Sequence, residues 1–436
     1  MARLLVPLGF VEEQGEETAD CILINTCAIR EKAAHKVYSY LGRLVDLKRR
    51  RPRLVIIVAG CVAQGEADEI LKRAPHVNLV LGTHAMGRIA QHMERILKKG
   101  GRFADTKMEQ FHDFSCYAAN PGDEPAGAFS PTAFITIMQG CDNYCTYCVV
   151  PHTRGRETSR PLPDVVDEAK RLADAGVKEV TLLGQNVNSY GRKESGPDFV
   201  DLLSAVSRVA GIERIRFVTS HPRDLSERLI SAFADMEKLC RHIHLPVQSG
   251  SDAVLKRMNR GYTAQIYRQK VEALRKAAPG ICVSTDFIVG FPGETDEDFA
   301  QSLALAEEVK FESLFAFKYS DRDLAPARAF FPKVEGLVKS QRLAQLLELA
   351  NRLVGLKLKE MEGSLVRVLV EGRSKDGADQ LSGRSSGNQI VNFAAPQNAG
   401  ELIGKVTAVR IEKARAHSLW GKLPQAPAQK EVNNAA

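Results

Sequence analysis

Apolar runs at 21–25, 54–59 and 77–81 alternate with stretches such as 31–48, where apolar residues recur at helical spacing. Short apolar runs read as buried strands and the helical recurrence as amphipathic helices packed on them. The first third is therefore predicted to be α/β, with a Rossmann-like parallel sheet. A Gly/Pro-rich passage at 118–127 breaks the pattern and predicts a linker. Six further candidate strands follow, at 133–138, 179–183, 215–219, 243–247, 283–289 and 314–319, separated by helical stretches. In one of these, 164–175, Val165, Ala169, Leu172 and Ala173 form a single apolar face. Six β/α units predict an incomplete (β/α)6 barrel of TIM type, an architecture that binds ligands at the C-terminal ends of its strands. A long helical stretch at 336–360 then gives way to short strands at 365–370, 390–393 and 406–411 with glycines between them, the pattern of a small β-barrel of OB-like size. The polar end, 425–436, is predicted to fray.

Composition narrows the class. The 436 residues make about three domains at roughly 150 residues each, and 44% hydrophobic with 26% charged residues excludes wholesale disorder. The longest apolar stretch, 54–63, is about half of the ~20 residues a membrane span needs, so no membrane crossing is expected. Arg3 and the apolar 4–11 resemble the start of a secretion signal. The acidic sequel Glu12-Glu13-Gln14-Gly15-Glu16-Glu17 has no cleavage pattern, and nine cysteines without a signal fit a reducing cytosol. The expected location is cytoplasmic, and the thiols are free for metal. The net charge is +7, and the ten basic and six acidic residues of 364–436 place +4 of it in the last sixth of the chain. That distribution suits a polyanion-binding domain, and equally a solvated surface.

The sharpest signal is Cys141-Asp142-Asn143-Tyr144-Cys145-Thr146-Tyr147-Cys148, directly after the first strand of the middle region and its Gln139-Gly140 turn. Three thiolates in a tight loop leave a tetrahedral zinc site one ligand short, although His152 is available as the fourth. They match three irons of a 4Fe-4S cluster, leaving the fourth iron open to a substrate.

A CxxxCxxC with an aromatic before its last Cys, on the first strand of a six-unit β/α barrel, resembles the radical S-adenosylmethionine superfamily. Four further stretches are similar to the methylthiotransferases: 148–161 (CVVPHTRGRETSRP), 183–191 (LGQNVNSYG), 244–251 (HLPVQSGS) and 286–295 (DFIVGFPGET). The GQNVNSYG stretch is similar to the MiaB-type tRNA enzymes. The resemblance covers nearly the whole chain. It implies an N-terminal methylthiotransferase domain with an auxiliary 4Fe-4S cluster (1–117), a linker (118–130), a radical core (131–362), a TRAM RNA-binding domain (363–425) and a disordered tail (426–436). It also implies Cys141, Cys145 and Cys148 as ligands of the radical-generating cluster, S-adenosyl-L-methionine as cofactor, an electron donor, and a monomer acting on the tRNA anticodon loop. The implied reaction adds a methylthio group to C2 of N6-isopentenyladenosine. Rival readings are the same chemistry on threonylcarbamoyl-adenosine tRNA or a ribosomal protein, and an RNA-binding protein with decayed sulfur insertion.

For the cofactor, Gln248 and Ser249 at a strand end could hydrogen-bond its ribose or carboxylate, or simply satisfy a turn. The Gly290 to Glu294 turn could admit adenine against backbone, or be a plain turn. Arg154, Arg156 and Arg160 suit a phosphate or carboxylate, and also a solvated loop. Lys48-Arg49-Arg50-Arg51 suits RNA backbone, and also plain exposure. The auxiliary cluster of the family takes three cysteines, and two match here: Cys27 and Cys61, each at the C-terminal end of a predicted strand. The third belongs to a motif ahead of Met1-Ala2-Arg3-Leu4. The resemblance thus implies a truncated sheet, and a start assigned downstream of the native one is the simplest account. Cys21 lies six residues, about 20 Å of strand, from Cys27, too far to substitute. Cys116 remains a possible recruit, and Cys240 and Cys282 read as barrel residues.

Overall fold

The computed structural model describes residues 1–27, 31–109, 114, 130–194, 196–375, 377, 379–396 and 399–424. The predicted linker, except for residue 130, the predicted tail and Cys116 lie outside these. In the first region β1 (Cys21–Thr26), β2 (Val55–Gly60), β3 (Leu79–Leu81) and β4 (Phe103–Asp105) form a parallel sheet in that order. Their connections carry α1 (Glu31–Arg50), α2 (Cys61–Gly65), α3 (Ala67–Arg73) and α4 (Ile89–Lys99). Every residue of β2 is buried, because alternate side chains serve two cores. Ile56 and Val58 pack with Leu41 and Leu44 of α1. Val55, Ile57 and Ala59 pack with Ile89, Met93 and Ile96 of α4. The edge strand β4, with Phe103 as its single large apolar residue, lacked a sequence signal.

The middle region contains, in order, β5 (Thr132–Thr136), β6 (Met138–Gln139), α5 (Val150–Arg154), β7 (Thr158–Ser159), α6 (Leu162–Asp174), β8 (Glu179–Leu183), α7 (Phe199–Ser207), β9 (Arg214–Phe217), α8 (Glu227–Asp235), β10 (His242–His244), α9 (Asp252–Arg257), α10 (Ala264–Ala277), β11 (Cys282–Val289), α11 (Asp296–Val309), β12 (Ser313–Lys318) and α12 (Gly336–Lys359). β5, β8 and β9 form one parallel sheet and β10, β11 and β12 another, and a parallel bridge from Ile215 to Leu239 links them. One apolar core runs from Ile135 to Leu353 through both sheets. Side-chain caps fix where the helices begin beyond the strand ends: Asp198 and Thr295 make capping boxes, and Ser226, Ser251 and Thr263 each cap a helix, at about 1 kcal/mol apiece.

The last region holds β13 (Leu365–Arg373), β14 (Gln380–Ser385), β15 (Ile390–Ala394), α13 (Ala399–Leu402), β16 (Val406–Ala414) and β17 (Leu419–Lys422). The strands close a barrel in the order β13-β14-β15-β17-β16. Val368, Leu381, Val391, Phe393, Val409 and Leu419 fill it. Closure depends on Gly383 and Gly421, where a Cβ would collide with the carbonyls of Leu369 and Arg410. β14 and β17 escaped sequence reading because β14 is polar or glycine at every position but Leu381 and β17 at two of its four. The barrel sits against the start of β9. Arg214 donates to the carbonyls of Arg384 (2.8 Å) and Arg367 (3.0 Å), and Arg216 to those of Ser385 (3.1 Å) and Ser386 (3.2 Å) while pairing with Glu179 (3.0 Å).

Candidate active site

The three-cysteine loop leaves β6 through Gly140, whose φ of +81° and close approach to Arg156 O exclude a side chain. Gly140 N donates to Gln185 Oε1 (2.6 Å), and Cys141 N to Gly155 O (3.4 Å). Farther on, Thr146 N donates to Met258 O (3.1 Å), Ala327 N to Thr146 O (2.8 Å), and Asn259 Nδ2 to Tyr144 O (3.0 Å). Asn143 donates to Asp224 (3.4 Å) and accepts from Arg223. The loop is thus held from several elements at once.

Cys145 is buried, and Cys141 and Cys148 are half-buried. Burial pushes the thiols of Cys141 and Cys148 up to about 12, and the neighbouring thiols push in the same direction. Thiols held protonated in this way give up their protons only to metal charge, which is the chemistry of an iron–sulfur ligand set. Among the described residues no group of three His, Cys, Asp or Glu side chains converges on a single metal ion, so the zinc alternative with His152 has no such site. A 4Fe-4S cluster takes each thiolate on its own iron and needs no such convergence.

Around the loop lies a polar network that the sequence did not announce. Arg260 Nη1 is 3.4 Å and His221 Nε2 3.9 Å from Cys145 Sγ. Burial, then Arg260, Arg223 and Lys270, hold His221 far below the usual imidazole range, so the ring is neutral. The GQNVNSYG stretch turns inward to this network. Gln185 holds Gly140, Asn186 donates to Asp224 (2.7 Å), Asn188 brackets the backbone of His221 (3.0 Å each way), and Tyr190 donates to Arg160 O (2.6 Å).

The other expected residues divide. Gln248 is buried at φ +74°, and its Oε1, like Asn186 Oδ1 and Ser220 Oγ, finds no partner among the described residues. These three unsatisfied atoms follow β8, β9 and β10, at the strand ends where the cofactor is expected, and a bound ligand with hydroxyl groups would complete them. Ser249 instead faces Ser302 (3.3 Å) and Ser251 N (3.2 Å). Glu294 accepts from Gly290 N (2.6 Å) and from Arg342 (2.7 Å), while the side chain of Lys339 fills the space beside Gly290. Arg154 places its carbonyl 3.0 Å from His84 Nε2, joining the first region to the middle one, as does Thr83 Oγ1 to Thr153 O (2.6 Å). Arg156 pairs with Asp142 (2.9 Å). Arg160 does not face a ligand: it is buried in an ion pair with Glu168. The 48–51 run is engaged within its own region, Lys48 on Asn78, Arg49 on Asp46, Arg50 on Glu17 and Arg51 on Asp20.

At the first sheet, the register Thr26 to Gly60 puts Cys27 and Cys61 on adjacent strand ends. Gly60, at φ +102°, has no room for a Cβ against Thr26 O. Thr26 Oγ1 knits the ends together, donating to Ala59 O (2.7 Å) and accepting from Val62 N (3.2 Å) and Ala63 N (3.3 Å). Cys27 is exposed and Cys61 buried. α2, which begins at Cys61, packs on α5, which begins two residues after Cys148. Cys21 lies at the opposite end of β1, Cys240 reaches Glu179 (3.8 Å), and Cys282 accepts from Gln389 (3.1 Å).

Residues 135–306, the span of this loop and most of the strand ends around it, match the family model of the Radical SAM superfamily, which defines the class. Residues 1–82 match the uncharacterized protein family UPF0004, and residues 359–423 the TRAM domain. The chain is 49% identical over 433 residues to the tRNA-2-methylthio-N(6)-dimethylallyladenosine synthase of Desulfosudis oleivorans, covering 97% of this chain and 92% of that one. It is 48% identical to the enzyme of the same name from Syntrophobacter fumaroxidans, covering 98% and 92%. The chain belongs to the family of the tRNA-2-methylthio-N(6)-dimethylallyladenosine synthases, and so is a radical S-adenosylmethionine methylthiotransferase that uses 4Fe-4S and S-adenosyl-L-methionine chemistry. In fold it is similar to the radical S-adenosylmethionine methyltransferase TsrM of Kitasatospora setae, solved with tryptophan substrate and a cofactor analog. The TM-score is 0.55 at 16% identity, over 72% of this chain and 65% of that one. No helix among the described residues is long and apolar enough to cross a membrane.

Proposed function

We propose that this chain adds a methylthio group to C2 of N6-isopentenyladenosine beside the anticodon of tRNA, working as a monomer in the cytoplasm with an external electron donor. The observation that carries the reading is 49% identity along nearly the whole chain, together with a three-cysteine loop already held in place. Cys141, Cys145 and Cys148 hold the radical-generating cluster, which when bound supplies the electron that splits S-adenosylmethionine. The unsatisfied atoms of Asn186, Ser220 and Gln248 orient that cofactor at the strand ends of one incomplete TIM-type barrel. Cys27 and Cys61 contribute to the auxiliary cluster on a Rossmann-like first domain, 1–117. The packing of α2 on α5 supports a sulfur donor near the radical source. The core spans 131–362, and the β-barrel, 363–425, holds tRNA. An unpaired anticodon loop presents a base that leaves its stack at little cost.

The test is mass analysis of tRNA nucleosides from cells that lack their own enzyme and express this chain. The expected result is 2-methylthio-N6-isopentenyladenosine. A 2-methylthio derivative of threonylcarbamoyl-adenosine in its place would overturn the substrate.

A further inference from the structure

Arg260 is 3% exposed, and its donors are spent in an unusual way. Nε donates to Tyr262 Oη (2.8 Å), Nη2 to Pro246 O (2.6 Å), and Nη1 to both Tyr147 Oη (3.2 Å) and Cys145 Sγ (3.4 Å). The ring of Tyr262 lies 5.3 Å from the guanidinium carbon. None of these partners is a carboxylate. A guanidinium is always charged, and burying one without a counter-charge is costly. Three other buried arginines of the middle region meet that cost with an acid, Arg160 with Glu168, Arg216 with Glu179 and Arg342 with Glu294, whereas Arg214 donates to the backbone carbonyls of Arg384 and Arg367. Burial opposes ionisation of the Tyr147 and Tyr262 hydroxyls, which leaves the Cys145 sulfur as the contact that metal binding would make anionic.

We propose that Arg260 is a positioning residue for the radical-generating cluster, donating to the Cys145 sulfur and offsetting the cluster's negative charge so that reduction is easier. The inference rests on the ligand assignment made above. A cluster on three thiolates is already anionic, and reduction adds an electron. A fixed positive charge and a hydrogen bond at a ligand sulfur therefore favour the reduced form more than the oxidised form, two of the levers that set iron–sulfur potentials. The residue also ties the loop to its surroundings, since its other donors hold the backbone after β10 and the hydroxyl of Tyr147, between the second and third cysteines.

The experiment is a redox titration followed by electron paramagnetic resonance on the anaerobically reconstituted full chain, native, Arg260→Lys and Arg260→Gln. The midpoint is read from clusters that are present, so lower iron occupancy in a variant does not obscure it. At the potential where the native cluster is half reduced, Arg260→Gln should have a reduced-to-oxidised ratio at least about tenfold lower, equivalent to ~59 mV for a one-electron couple. Arg260→Lys, which keeps the charge without the planar fork, should fall between the two. A native midpoint in Arg260→Gln would overturn the proposal, as would an Arg260→Lys midpoint no higher than that of Arg260→Gln. A native chain that forms no 4Fe-4S cluster would instead overturn the assignment of the cysteine loop, and with it this inference.

Discussion

The two cysteine sites are built to different standards. The loop of Cys141, Cys145 and Cys148 is tied by Gln185, Asp224, Met258, Asn259 and Arg260, residues drawn from three separate connections of the middle region. Cys27 and Cys61 share one device, the register of β1 on β2 closed by the hydroxyl of Thr26, and Cys27 stands exposed. Among the described residues the first site is held by many side-chain and backbone ties, and the second by few. This contrast fits the division of labour in the proposed reaction, in which one cluster must hold a cofactor in fixed orientation and the other must give up sulfur.

The comparison can be broken by separating the two chemistries. Cys61→Ala should abolish methylthio product in tRNA nucleosides while leaving 5′-deoxyadenosine formation close to native; parallel loss of both would mean that the sites are not independent. Next in size, Thr26→Val leaves two amides and a carbonyl short of a partner at a buried strand end and should cost about 1–3 kcal/mol in denaturant unfolding. It should also lower bound iron without lowering cofactor cleavage. Gln185→Ala frees only one of many ties on the loop. Its expected cost is about 1 kcal/mol with cluster content retained, and collapse of the cluster would contradict the redundancy argued above.

The smallest effect concerns Glu157, which follows α5 and donates its amide to Asp142. Burial pushes its carboxyl up to about 7, with Asp224 and Glu194 adding repulsion. A folded-state pKa above the unfolded value means the folded chain holds the proton more tightly. Its stabilising contribution is then complete below the unfolded value near 4.5 and is lost as pH rises through about 7. Glu157→Gln should therefore gain melting temperature relative to native more at pH 8 than at pH 5, and an equal difference at both would refute the assignment.

The cysteine spacing was legible because its three ligands lie within eight residues and no packing argument competes with it. The strand-end pair was legible for a related reason: two apolar runs each end in a cysteine, and parallel pairing brings such ends together. What supports the loop was not legible. Arg260 and His221 reach Cys145 across 115 and 76 residues, and neither sits in a periodic pattern that marks it. The arginines after the loop misled in part, since Arg160 reads as a surface cation and is instead half of a buried ion pair. The GQNVNSYG stretch drew attention for its resemblance, and its side chains turn inward, Gln185 onto the cysteine loop and Asn186 and Asn188 onto Asp224 and His221 behind it. In the last region the valine-rich β13 and β16 gave signals, whereas β14 and β17 form because the barrel needs glycine at its close contacts.

The central claim is that Cys141, Cys145 and Cys148 together hold the cluster that cleaves S-adenosylmethionine. The most direct test quantifies 5′-deoxyadenosine from the reduced, reconstituted chain and from its three single Cys→Ala variants. The account predicts product from the native chain and none above background from any variant. Product at the native rate in any of the three would contradict it.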